Sequence, residues 1–128
     1  MKYTMLWNKN SKMMKDDQNR ALLFAFGLCA KAGKLIYGVP MICEALKKQK
    51  VMAVFAAADN APNSAKRLLD RCAFYGVPLY ELAIDGDTLS GAVGKSGRLA
   101  ALAVTDQSLC QLVLSKLPKN TENDKHEN

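Results

Sequence analysis

Apolar positions recur along this chain with two different periods, and the alternation between them predicts the architecture. Leu22, Leu23, Phe26 and then Cys29 and Ala30 return every three to four residues, the spacing of an amphipathic helix. Asp16-Asp17 stand ahead of that helix, where acids complement its N-terminal dipole, and Gly33 marks its C-terminal stop. Leu35-Ile36-Tyr37 reads as a short strand, after which Gly38 and Pro40 open a second helix. Its apolar stripe is Met41, Ile42, Ala45 and Leu46, and Lys47, Lys48 and Lys50 close it. The unbroken run from Val51 to Ala58 predicts a strand buried on both faces. Asp59 to Asn63 is a loop and cap. A third helix follows, with Leu68, Leu69 and Cys72 on one side and Lys66, Arg67 and Arg71 nearer the other, ending at Gly76. Val77–Leu82 is a strand, Asp85–Val93 a short helix and Gly94–Arg98 a glycine-rich basic loop. Leu99–Val104 is another buried strand, and Asp106 starts a last helix that runs to about Ser115. Helices alternating with strands predict an α/β fold in which helices cover both faces of a sheet, a three-layer α/β/α sandwich.

Composition narrows the class. The chain has 128 residues, 49% hydrophobic, enough for one domain with a core. Residues 1–16 read as a polar, flexible extension interrupted by Met5-Leu6-Trp7, with Met13 and Met14 offering later starts. The domain is expected over residues 17–116, and 117–128 as a disordered polar tail. No apolar run reaches the roughly 20 residues of a membrane span, so no membrane partner is expected. The four cysteines, Cys29, Cys43, Cys72 and Cys110, each sit in an apolar run without C-x-x-C spacing. They read as reduced core thiols of a cytoplasmic protein, not as zinc ligands. The only histidine is His126, in the tail, so no nucleophile–histidine constellation can be assembled. No phosphate-binding P-loop appears either, and an enzyme, a metal and a cofactor are not expected.

The net charge of +6 favours anionic partners. The excess is not confined to the ends: residues 20–116 carry 12 basic and 7 acidic side chains. Ala32-Gly33-Lys34-Leu35-Ile36-Tyr37-Gly38-Val39-Pro40 runs straight into the second helix. It sets a lysine and two glycines beside a helix start whose amides lack partners, a landing place for an anionic backbone. Lys95 and Arg98 in the later glycine loop are the second candidate contact, and Asp59 and Asn60 belong to the loop expected to flank them.

Four stretches, in order, carry a resemblance. They are Gly27–Lys34 followed by Gly38; Ala58–Arg67, similar to D-A-S-x-N-T-x-K-K; Leu89–Lys95, similar to L-G-x-A-x-G-K; and Ala103-Val104-Thr105-Asp106 after Arg98. Together they resemble the ribosomal-protein superfamily of archaeal large-subunit protein seven-Ae and eukaryotic protein thirty-e, most of all its small bacterial members of the YlxQ type. The resemblance covers about residues 20–114. It implies a sandwich with a mixed sheet of about four strands that binds structured RNA, ribosomal RNA or kink-turns among them; a monomer is expected. It also implies that three loops gather at one edge of the sheet around the N-terminus of the second helix. Gly33, Lys34, Gly38, Val39, Pro40, Met41, Glu44, Asp59, Asn60, Lys95 and Arg98 are the RNA-contacting positions this suggests. The departures lie at that helix tip. RNA-reading members carry Asn-Glu there and a lysine one turn later, where this chain has Pro40, Met41 and Glu44. Proline has no N–H, methionine almost no hydrogen-bonding capacity, and Glu44 repels phosphate. Contacts to the backbone are therefore expected more than readout of base edges. The alternative expectation is a module on the same fold that binds a ribosomal or other protein, as the Gadd-forty-five-like relatives do.

Overall fold

The computed structural model describes residues 19–118. The expected N-terminal extension, Asp16-Asp17, the polar tail beyond Pro118 and His126 lie outside the described residues. Helix α1 is described over 19–31. It is followed by β1 (Leu35–Tyr37), α2 (Val39–Lys47), β2 (Ala53–Ala56), α3 (Pro62–Tyr75), β3 (Leu79–Glu81), α4 (Gly86–Ala92), β4 (Ala101–Val104) and α5 (Gln107–Ser115).

The sheet is mixed, in the order β1-β4-β2-β3. Strand β4 runs antiparallel to both β1 and β2, while β2 and β3 are parallel and joined through α3. Alternation along the buried strands sorts side chains by size. Phe55, Leu102 and Val104 point to the layer formed with α1, α4 and α5. Val54, Ala56, Ala101 and Ala103 point to α2 and α3, whose Ile42, Leu46 and Leu68 fill the space those small residues leave. Phe26, Phe55, Leu68 and Leu102 are fully buried, and each side chain of this kind contributes about 1.5–3 kcal/mol by leaving water. Phe26 meets Phe55 edge-on at 5.2 Å, and Phe55 stacks on Tyr80 at 5.3 Å. The three layers and the four strands follow the pattern expected from the sequence.

Helix ends are set by particular residues. Gly33 (φ 70°) closes α1, with the amide of Lys34 donating to the Cys29 carbonyl at 3.0 Å. Gly76 (φ 70°) does the same for α3. Asp85 and Asp106 cap α4 and α5, accepting from the amides of Thr88 at 3.2 Å and Leu109 at 2.9 Å. All four cysteines are free and buried. Burial pushes the Cys29 and Cys110 thiols up, and Cys72 up to about 11, so they pack as small hydrophobes.

Candidate functional site

The topology gathers chain turns at one end of the sheet. The C-terminal ends of β1, β2 and β3 and the N-terminal end of β4 all lie there, because β4 alone runs the other way. Hydrogen bonds stitch this rim together. The Gly38 amide donates to the Ala101 carbonyl at 3.0 Å, Ala57 to Ala100 at 2.9 Å and Ala58 to Ile84 at 2.8 Å. The tip of α2, the turn at Ala58–Ala61 and the loop Gly94–Arg98 are therefore neighbours.

At the tip of α2, Gly38 has φ 88° and ψ 147°, a conformation open essentially to glycine alone. It lets β1 turn directly into the helix. By helix geometry the amides of Val39 and Met41 are left for an outside acceptor, whereas Pro40 has none. The Val39 side chain is buried, so only its backbone is available. Met41 is 62% exposed and presents a thioether where a reading residue would stand. Glu44 lies one turn along, 3.5 Å from Lys47, both well exposed, a pair worth little in water.

Asp59 organises the second and third turns. One carboxylate oxygen accepts from the Gly86 amide at 2.9 Å, and the other faces Arg98 Nη1 at 3.5 Å. The Arg98 stem lies across Gly86 so closely that a Cβ there would meet Arg98 Cγ at 2.2 Å and the Leu99 carbonyl oxygen at 2.8 Å. Gly86 in turn accepts from the Leu99 amide at 3.1 Å. Asp59 thus ties the turn after β2 to the start of α4 and faces Arg98 across an exposed pair. Lys95 is held by a reciprocal pair of bonds. Its amide donates to the Ser90 carbonyl at 2.9 Å, and the Ser90 hydroxyl donates to the Lys95 carbonyl at 2.8 Å. Its ammonium lies 4.4 Å from the centre of the Tyr37 ring, a cation–π contact that ties the loop before β4 to the end of β1.

The structure divides the residues chosen from sequence. Gly38, Val39, Pro40, Met41, Asp59, Lys95 and Arg98 come together at the rim, with Glu44 a turn behind them. Gly33 and Lys34 do not: they sit at the opposite end of β1, where the Lys34 carbonyl accepts from the amide and hydroxyl of Thr105 at 3.0 and 3.2 Å. Lys34 and Gly38 flank a three-residue strand, and extended backbone carries them about 13 Å apart. The expected convergence of Lys34 with Lys95 and Arg98 is corrected accordingly. The side-chain oxygen and nitrogen of Asn60, in the turn beside Asp59, are buried without a hydrogen-bond partner among the described residues. Sequence reasoning missed Gly86 and Ser90 altogether. Ser90 carried one signal, as a polar residue beside Leu89 on the core side of a short helix. Among the described residues no group of His, Cys, Asp or Glu is arranged to hold a metal ion, and no helix is long and apolar enough to cross a membrane.

Comparison with known proteins agrees with this arrangement. Residues 21–113 match the Ribosomal protein L7Ae/L30e/S12e/Gadd45 family. The RNA-binding protein YlxQ of Bacillus subtilis is 30% identical over 91 residues, covering 71% of this chain and 89% of the relative. The protein of the same name from Enterococcus faecium is 29% identical over 82 residues, covering 64% and 79%. A Bacillus halodurans protein of unknown function superposes with a TM-score of 0.69 at 26% identity, over 74% of this chain and 94% of its own. The Giardia lamblia 15.5kD RNA binding protein superposes at 0.68 with 20% identity, covering 78% and 84%, which speaks to the fold alone.

Proposed function

This chain belongs to the L7Ae/L30e/S12e/Gadd45 family, as a member of the YlxQ type, and on that premise we propose that it is a non-catalytic, cytoplasmic RNA-binding protein that holds structured RNA at the rim. One observation carries the reading. Three turns from distant parts of the sequence meet at one sheet end, with Arg98 facing Asp59, the Lys95 ammonium lying over Tyr37 and the Lys95 backbone held by Ser90. A preset cation loses little freedom on meeting a phosphate, and the arginine fork suits phosphate oxygens. The free amides at the tip of α2 add donors that carry no sequence information. Pro40 and Met41 supply no group able to read the edges of a base pair. Recognition of a kink-turn or of ribosomal RNA at this rim would therefore rest on the shape of the backbone.

A second reading has its own support. Met41, exposed beside Pro40 and Val39, is an apolar tip suited to a protein partner. One titration separates the two. A fluorescein-labelled RNA hairpin with an asymmetric internal loop is titrated with the wild-type chain and with K95A/R98A, at about 50 and 200 mM salt. Two phosphate contacts give a log–log slope near −2, so wild-type affinity falls at least about tenfold over that range, and the variant binds about tenfold more weakly with a flatter slope. A wild-type response indifferent to salt, or a variant equal to it, favours the protein-binding reading.

A further inference from the structure

The two ends of the sheet differ in charge, and the difference is opposite to what an RNA site confined to the rim would require. At the rim Lys95 and Arg98 share the surface with Asp59, Asp85 and Asp87, and Glu81 ends β3 beside them. The opposite pole holds Lys31, Lys34, Lys48 and Lys50, all exposed. Among the described residues the acid at this pole is Asp106, already engaged as the cap of α5, and Glu44 lies one turn before Lys48, 3.5 Å from Lys47. Among the described residues none of these four lysines is paired with an acid.

The fold brings the four together. Helix α1 ends at this pole with Lys31, and the turn at Gly33 delivers Lys34 to the start of β1. Helix α2 starts at the rim and runs to the same pole, where Lys48 is its C-cap. Gln49 (φ 58°) turns the chain, the Lys50 amide donates back to Ala45 at 3.2 Å, and the Met52 amide donates to Val104 at 2.8 Å. Leu35 and Ala53 both pair with Val104, so the approaches to β1 and β2 lie two strand spacings apart, about 10 Å. Helix dipoles account for Lys31 and Lys48, which complement the negative ends of α1 and α2. They do not account for Lys34 and Lys50, which lie beyond the helices at the entries to two strands.

We propose that this pole is a second polyanion site, that it takes the phosphodiester backbone of an RNA helix, and that the molecule joins two RNA segments, one at each end of its sheet. RNA as the partner is taken from the proposed function; the rim is not needed for this site. Lysines are compact point charges without the planar fork of arginine, so the pole grips backbone and reads no sequence. Exposed cations spread over about 10 Å can meet several phosphates of one strand.

The test compares wild type, K34A/K50A, K95A/R98A and K66A/K116A on the same internal-loop hairpin carrying a stem of about 12 base pairs. The last variant removes two charges elsewhere, and melting curves check that each is folded. K34A/K50A should lower affinity about tenfold and reduce the magnitude of the salt slope by about 2, with K34R/K50R restoring both. Donor- and acceptor-labelled hairpins should show energy transfer with wild type and none with K34A/K50A. If K34A/K50A matches wild type while K95A/R98A weakens, the pole fails and the rim stands. If K34A/K50A weakens and K95A/R98A does not, the rim fails and the pole stands. An equal loss in K66A/K116A means that net charge alone is at work and overturns the pole. Absence of energy transfer with wild type overturns the joining of two segments, and absence of wild-type binding removes both sites.

Discussion

Single side chains at the rim are placed by partners far away in sequence. Lys95 rests on Tyr37, and Arg98 faces Asp59 and lies across the bare backbone of Gly86. None of these pairings is legible in one sequence, since only the strand order makes the partners neighbours. Lys34 misled for the complementary reason. Four residues from Gly38 looks like one loop, yet a strand of three residues between them assigns each to a different end of the sheet. The cysteines were legible, because a thiol within an apolar run has little else to do than pack. Their titration gives a prediction. The Cys72 thiol is raised to about 11, first by burial and then by the neighbouring Cys43. A raised thiol favours the folded state below its ordinary value, near 9, and that advantage fades as pH climbs through about 11. Denaturant melts at about pH 8 and pH 10.5 should show the wild type losing roughly 1–2 kcal/mol more than Cys72→Ala across that interval. Equal losses would assign the alkaline sensitivity elsewhere.

Among the elements, the helices were read nearly to the residue, because Gly33, Gly76, Asp85 and Asp106 are local signals that need no tertiary context. Strand β1 matched its reading, but β2, β3 and β4 came out shorter than the segments read for them. Val51 to Ala58 is apolar throughout, but β2 spans only Ala53–Ala56. Beyond it Ala57 still bonds Ala100 in the β4 register, whereas Ala58 bonds Ile84, two residues past its in-register acceptor on the β3 side, and that departure opens the rim. Burial continues past the end of the ladder, so hydrophobicity alone overestimates strand length. Helix α4 shows how an element sets a side chain. Its first residue, Gly86, is where Asp59, Arg98 and Leu99 meet. Gly86→Ala inserts a methyl group against the Leu99 carbonyl and the Arg98 stem, and backbone cannot move aside cheaply. Overpacking of this kind costs about 1–3 kcal/mol. A thermal melt should fall by several degrees, and RNA affinity of the folded variant should drop toward that of K95A/R98A. A melt unchanged from wild type would mean that the contact at Gly86 is not tight.

For the molecule as a whole, layering and charge have separate origins. The sandwich follows from apolar periodicity and from the size sorting of strand residues between the two faces. The distribution of charge follows from topology, which sends α1 and α2 to finish at one pole and four acids to the other. The +6 total could be read from the sequence, but its uneven placement could not. The proposed rim site would hold RNA through few cations, while the opposite pole carries four exposed lysines without an acidic partner among the described residues. The most direct measurement is ultraviolet crosslinking of the protein to RNA inside cells, followed by mass spectrometry of the nucleotide-bearing peptides. Adducts should map to residues 38–41 and 94–98, with a second set at 31–34 and 48–50. Adducts confined to the outer faces of α3 and α5, or none at all, would contradict RNA binding at the rim.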